Sequence, residues 1–521
     1  MVIIQKGGYM SVEHRGEWGS RMGFIFAAIG SAVGLGNIWR FPYTVASNGG
    51  GAFLIPYLVA LLTAGIPILI LEFSLGHKTR HSAPGVFGHL NKKYEVIGWF
   101  QSLIAFSITT YYIVIIGWAV SYAVYAVTGA WGADPKGFLF GTYLQLTDSP
   151  MKLGGLNMKV VIPLLIVWGV NYGVLRLGIQ KGLEKANKIF MPLLVIALLV
   201  IVVRGITLPG ALDGLDYFLK PDFSKLADPQ VWLSAYGQIF FSLSVCFSIM
   251  YAYSSYLPKD SDIVNNAFIT GLGNCSFSLL SGIGVFSVLG YMAYSQGVSV
   301  AEVSSAGVGL AFIVFPQAIS ALPGLSRVIG VVFFASLIFA GFSSSMSLIE
   351  SVVAAIRDKF DLTRNQALNR FTLISGLLSL LIATRGGLYI LDIVDYATNQ
   401  YGIVIAGLAE LIIFGWFFKT DSIRKYANSL SDFTVGKWWL VCIRGTSIIL
   451  GLMLFLKIKN TIHNPYEGYS WLALGIYGLG VLIAVSIGAV ILANKKASKK
   501  FQEAIYENGI GNEIKLDENK D

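Results

Sequence analysis

The stretch GSAVGLGN, Gly30–Asn37, sets three glycines and a carboxamide inside an apolar run from about Met22 to Thr44. Each glycine costs a helix interior about 1 kcal/mol relative to alanine, so the run is expected to break there. Inside a membrane such a break is tolerated only where protein or a water-filled cavity satisfies the freed backbone groups. A broken helix offers the amides of one half to an anion and the bare carbonyls of the other to a cation. The chemistry implied is ion and ligand binding. A second interruption, FSLSVCFS over Phe241–Ser248, lies five spans later. It lacks glycine, and Ser242, Ser244 and Ser248 could instead bond back within an unbroken helix. The offset decides for a break: an odd number of spans inverts the second half, and paired interruptions in inverted halves mark transporter sites.

These stretches need a membrane bundle to hold them. The chain has 521 residues, 55% hydrophobic and only 13% charged, where a soluble domain carries about 25% charged residues. Apolar runs long enough to span a bilayer recur throughout. Twelve spans are expected, beginning near Met22, Gly51, Val96, Lys159, Lys188, Val231, Asn266, Ser326, Arg370, Leu388, Trp438 and Trp471. The first run is too long and too glycine-broken for a signal peptide and lacks a cleavage site. Residues 129–158 and 205–230 read as polar outer loops, and 300–321, with Pro316, as a re-entrant or helical outer loop. The tail after Lys495 is charged and expected to be disordered.

The net charge of +9 forms no stripe suited to nucleic acid. Basic residues gather in alternate loops, at Lys78–Lys93, Arg176–Lys188, Arg357–Arg364, Arg424–Lys425 and Lys495–Lys500. The positive-inside rule makes these loops and both termini cytoplasmic. Cys246, Cys275 and Cys442 sit in apolar segments and are expected as reduced, buried thiols, and the five histidines show no metal-ligand spacing. There is no Ser/His/Asp set, metal cluster or nucleotide loop to support an enzyme.

EWGSRMGFIFAAIGSAVGLGNIWRFPY, NGGGAFLIPY, LEFSLG, GQIFFSLSVCFS, SSYLPKDSDIV, FAGFSSSMSLIE and GLAELIIF together closely resemble the neurotransmitter:sodium symporter family over the first ten spans. The resemblance implies an all-α polytopic fold of the bacterial leucine transporter type. In it, about twelve helices form an inverted 5+5 repeat with broken first and sixth helices, plus two extra helices. The corresponding divisions are 1–21, a cytoplasmic segment; 22–205 and 231–416, the two repeats; 438–494, the extra helices; and 495–521, a cytoplasmic tail. It implies symport of an amino acid or amine with sodium by alternating access, and sometimes with chloride.

Carried over by position, the substrate carboxylate meets the amides of Leu35 and Gly36 and the hydroxyl of Tyr112, and the amine meets Ala32, Phe241, Ser242 and Ser244. Ile108, Ile115, Phe241, Phe247, Ser345 and Leu348 form the side-chain pocket. Amine carriers of the family place an aspartate where this chain has Gly34, so the ligand should bring its own carboxylate. The apolar pocket implies a neutral hydrophobic amino acid, since an unpaired buried charge is expensive. Sodium site one maps onto Ala32, Asn37, Ser242 and Asn274, and site two onto Gly30, Val33, Ala340, Ser343 and Ser344; oxygen-only sets of this kind suit hard cations.

Chloride-independent relatives carry a glutamate where this chain has Ser278. Tyr57, Gln238, Ser242 and Ser278 match the chloride ligands of the family, which implies chloride dependence. Arg40 and Asp395 match the outer gate; Arg15, Trp18, Tyr256 and Asp358 match the inner one. Gly182 and Pro192 match the spacing at which the fifth helix unwinds at its inner end. Glu72 and Glu410 are membrane acids assigned support roles without named partners. The partners implied are a small amino acid and the lipid bilayer. The lack of an N-x-S/T site in the loop before Lys159 points to a prokaryotic inner membrane. The alternatives are an osmolyte or γ-amino-acid carrier of the same fold and an amino-acid sensor that does not transport.

Overall fold

A computed structural model describes residues 16–304 and 307–507. Among these residues the secondary structure is helical throughout, apart from a single isolated bridge between Leu156 and Thr384. Among the described residues nine helices are long and apolar enough to cross a bilayer: α3 (Gly50–Thr79), α5 (Lys92–Thr128), α6 (Met158–Arg176), α7 (Ile179–Ile206), α10 (Ile263–Gln296), α11 (Ser326–Phe360), α13 (Gly387–Phe417), α14 (Trp438–Gly468) and α15 (Trp471–Asn494). A tenth span is a bent pair, α1 (Arg21–Ala32) and α2 (Leu35–Ser47), at 55° to one another. The other two expected segments are present as helices but fall short of that standard. One is split into α8 (Pro229–Ser242) and α9 (Ile249–Ser254); the other, α12 (Arg364–Ile382), opens on a polar turn with Arg364 and Arg370.

Local sequence sets the helix ends. Ser20 accepts from the Gly23 amide at 3.0 Å to start α1. Asp262 does the same for α10 through Asn265 at 3.0 Å, and Asp228 followed by Pro229 opens α8. α5 and α11 run side by side through the centre, with α1 and α7 packed against α11 and α13 against α5. α14 and α15 lie outside this core and leave Leu452, Phe455, Ile483 and Ile487 exposed, as lipid-facing residues should be. α4 (Ala83–Leu90) is a buried crosspiece between α3 and α5. The segment Gly307–Ala321 is helical but too short to span, in line with an outer loop.

Two expectations need correcting. The tail is ordered from Lys495 to Glu507 rather than disordered, and its last part, 508–521, lies outside the described residues. Phe501 and Ile505, four residues apart, bury one face, the Tyr506 hydroxyl bonds Glu95, and the Ser498 amide reaches the Lys359 carbonyl at 2.9 Å. Charge density hid an amphipathic turn. The Gly182–Pro192 stretch, where the helix is expected to unwind during transport, is wound in this conformation, α7 being helical from Ile179 with wide turns over 179–184. Of the three free thiols, Cys442 is only half-buried.

Candidate functional site

The first break is built by Gly34 and Asn37. Gly34 is extended (φ −111°, ψ −168°), and its amide donates to Asn37 Oδ1 at 3.0 Å, so Asn37 caps the half-helix that follows it. The Leu35 amide donates to Tyr112 Oη at 3.3 Å. A Cβ at Gly34 would stand 3.1 Å from Tyr112 Oη and 3.2 Å from Ser344 Oγ, and one at Gly36 would collide with the Phe241 ring. The glycines therefore let α5, α8 and α11 close on the break.

The second break forms without glycine. Ser244, Cys246 and Ser248 take left-handed φ values of 55°, 67° and 72°, each a strained choice for a residue with a side chain. Three contacts hold them. The Cys246 amide donates to Glu72 Oε1 at 2.6 Å, Ser244 Oγ to the Ser31 carbonyl at 2.8 Å, and Ser102 Oγ to Ser248 Oγ at 3.0 Å. Glu72 thus has a partner that sequence spacing could not supply, 174 residues away.

A cavity of about 390 Å³ lies between the breaks. Of the expected substrate residues, Ala32, Leu35, Gly36, Ile108, Tyr112, Ile115, Phe241, Ser244, Phe247 and Leu348 line it. Ser242 and Ser345 do not. Ser242 Oγ turns into a buried polar cluster, and Ser345 Oγ donates to Asn171 Oδ1 at 2.9 Å, away from the cavity. Ser344, one position along α11, lines it instead.

The cluster is formed by Asn37, Ser242, Asn274 and Ser278, all buried. Asn37 Nδ2 donates to Asn274 Oδ1 and Ser278 Oγ at 2.8 Å each and to Ser242 Oγ at 3.2 Å. Asn274 Nδ2 donates to Ser242 Oγ at 2.7 Å. Beside it, Tyr57 Oη accepts from Cys275 Sγ at 3.2 Å. Neither polar atom of the buried Gln238 side chain has a partner among the described residues.

Ser344 Oγ lies 3.3 Å from the Gly30 and Ser31 carbonyls and 3.4 Å from that of Val33. These oxygens converge where α1 loses its helical partners. Ser343 Oγ packs against Gly30 but donates its proton to Asn187 Oδ1 on α7, a residue that sequence reading missed. Ala340 is buried in the same turn of α11.

The two ends of the bundle differ. Arg40 and Asp395 both line the cavity, yet they form no ion pair within 4.0 Å among the described residues. Arg40 sits over the Phe241 ring at 4.5 Å and Asp395 accepts from Asn399 at 2.7 Å. A second cavity of about 740 Å³ shares Arg40, Phe241, Asn399 and Lys457 with the first, so the site continues into a vestibule. At the other end Trp18 is buried, its indole donating to the Tyr253 carbonyl at 2.8 Å. Tyr256 Oη donates to Glu350 Oε1 at 2.8 Å, and Arg364 chelates the same carboxylate at 3.0 and 2.5 Å. Asp358 accepts from Ser82. Arg15 lies outside the described residues. Glu350 and Arg364 were not found from sequence, where a span acid and a loop arginine carry no sign of pairing.

The chain matches the family model described as "Sodium:neurotransmitter symporter family" over residues 15–135 and 133–499. It is 45% identical over 491 residues to an uncharacterized sodium-dependent transporter of Methanocaldococcus jannaschii, covering 94% of this chain and all of the relative. It is 30% identical to the sodium- and chloride-dependent GABA transporter 2 of Homo sapiens, covering 93% of this chain and 86% of the relative. Its fold superposes on the crystal structure of MhsT in complex with L-phenylalanine, with a TM-score of 0.72 at 33% identity, covering 85% of this chain and 99% of MhsT.

Proposed function

The chain belongs to the sodium:neurotransmitter symporter family, and from that premise we propose that it carries a neutral hydrophobic amino acid together with sodium and chloride by alternating access. Sodium dependence is the family's property. The observation that carries the substrate class is the wall of the 390 Å³ cavity. Its polar end is the Leu35 amide and Tyr112 hydroxyl, suited to a carboxylate at a half-helix N-terminus. Its body is Ile108, Ile115, Phe247 and Leu348. The substrate amine takes Ser244 and the carbonyls of Ala32, Phe241 and Ser242.

Sodium site one falls to the Ala32 carbonyl, Asn37, Ser242 and Asn274. Site two falls to the Gly30, Val33 and Ala340 carbonyls with Ser343 and Ser344; the convergence on Ser344 Oγ supports it. For chloride, the support is the buried Gln238 side chain, which has no partner among the described residues and lies four positions before Ser242 on α8. A buried amide without a partner is costly, and an anion would satisfy its N–H.

Cations in a low-dielectric site need negative charge nearby, which substrate carboxylate and chloride would supply. Two sodium ions, one chloride and a zwitterion would move one net positive charge, so the membrane potential would add about 2.3 kcal/mol per 100 mV. The open vestibule past Arg40 and the closed network at Glu350 support a state open at one end, and the positive-inside reading of the basic loops makes that the outer face of a plasma membrane, with cytoplasmic termini. The GABA transporter likeness favours one rival, a γ-amino acid. A thermal-shift screen of α- and γ-amino acids in sodium chloride against sodium gluconate separates the readings. Stabilisation by leucine or phenylalanine that requires both ions is expected; stabilisation by γ-aminobutyrate alone would overturn the substrate class.

A further inference from the structure

Glu72 in α3 and Glu410 in α13 are fully buried on either side of the unwound segment. One ligand atom from each, together with Cys246 Sγ, lies within 4.8 Å of the others. Each carboxylate uses only one oxygen on a donor: Glu72 Oε1 takes the Cys246 amide at 2.6 Å and Glu410 Oε2 takes Gln101 Nε2 at 2.7 Å. Glu72 Oε2 and Glu410 Oε1 have no partner among the described residues. The ionisable groups facing the pair are Cys246 of the break and Tyr251 of α9, and the remaining neighbour, Gln101 of α5, is neutral. None of these is a cation.

Two charged carboxylates this close, out of water and without a cation, repel far beyond thermal energy. A hard metal ion would relieve them only with about six oxygen ligands, and two free oxygens with a thiol are too few. A proton needs no more than what is present, one oxygen to carry it and one to accept it. We propose that Glu72 and Glu410 bind one proton between them, and that this proton site anchors the unwound segment of the sixth span to the second and tenth spans. The proton joins an oxygen of one carboxylate and is hydrogen-bonded by the other. Glu72 Oε1 then holds the Cys246 amide with a single negative charge left on the pair. The site is separate from the cavity wall and stands whatever the substrate is.

Infrared difference spectroscopy on the purified full-length protein tests this. A carboxylic C=O band should be present at neutral pH and shift in D2O. It should disappear in the Glu72→Gln/Glu410→Gln double variant. Either single variant should keep the full band or lose all of it, since only one proton is held. If the double variant does not fold, carboxyl-13C glutamate in the wild-type chain should shift the band. No band, a band that survives the double variant or ignores the label, or single variants that each leave half of it would overturn the proposal. So would one divalent metal ion per chain in the purified protein, with the band absent.

Discussion

Asn37 Nδ2 and Asn274 Oδ1 meet at 2.8 Å, joining the half-helix after the first break to the middle of α10, 237 residues away. That contact makes the break and the buried cluster one unit. Asn37 Oδ1 fixes the Gly34 amide at the same time, so the cap of the half-helix and the ion cluster share one side chain.

Replacing Asn37 or Asn274 with alanine should therefore weaken sodium binding by about tenfold or more, the effect of roughly 1.4 kcal/mol in one lost charge-assisted ligand. Sodium titration of substrate binding, followed by tryptophan fluorescence, measures it. Unchanged sodium affinity in both variants would remove this cluster from the sodium path.

Ser278 Oγ lies 2.8 Å from Asn37 Nδ2, so a carboxylate at position 278 would stand beside the cluster where the anion is expected. Ser278→Glu should support sodium-driven uptake in gluconate as well as in chloride, while the wild-type chain needs chloride. A variant that still requires chloride places the anion elsewhere.

Neighbouring serines on α11 should behave differently. Ser344→Ala removes the oxygen on which the Gly30 and Val33 carbonyls converge and should raise the sodium concentration for half-saturation. Ser345→Ala leaves Asn171 Oδ1 without its donor in a buried place. It should cost about 1–3 kcal/mol of stability and leave substrate affinity within about twofold. Thermal unfolding and binding assays on both variants separate the two effects.

Lys359 and Glu95 form a fully buried ion pair at 2.6 Å, and Lys359 also donates to the Leu492 and Ala493 carbonyls at 2.7 Å. Lys359→Met strands a buried carboxylate and should destabilise the protein by about 3–5 kcal/mol. The paired change Lys359→Met with Glu95→Gln should recover most of that loss, which unfolding in denaturant would record.

The first break was legible because glycine spacing and a helix interior are incompatible. The sixth-span break carried no such mark: Ser244, Cys246 and Ser248 are held left-handed by Glu72, Ser31 and Ser102, and only the five-span offset pointed to it. Partners such as Asn187 for Ser343, Asn171 for Ser345 and Arg364 for Glu350 depend on which helices touch, which a linear pattern does not contain. Position along a motif also missed the turn of α11 that puts Ser344 rather than Ser345 into the cavity. The docking of 495–507 was hidden because lysines outnumber the apolar residues that hold it, Ala497, Phe501 and Ile505.

Uptake of radiolabelled leucine or phenylalanine into proteoliposomes, driven by an inward sodium chloride gradient, tests the transport account most directly. The account predicts accumulation above the external concentration that collapses when sodium is equalised across the membrane and grows with an inside-negative potential. Binding of the same amino acid without accumulation, or uptake indifferent to the sodium gradient, would contradict it.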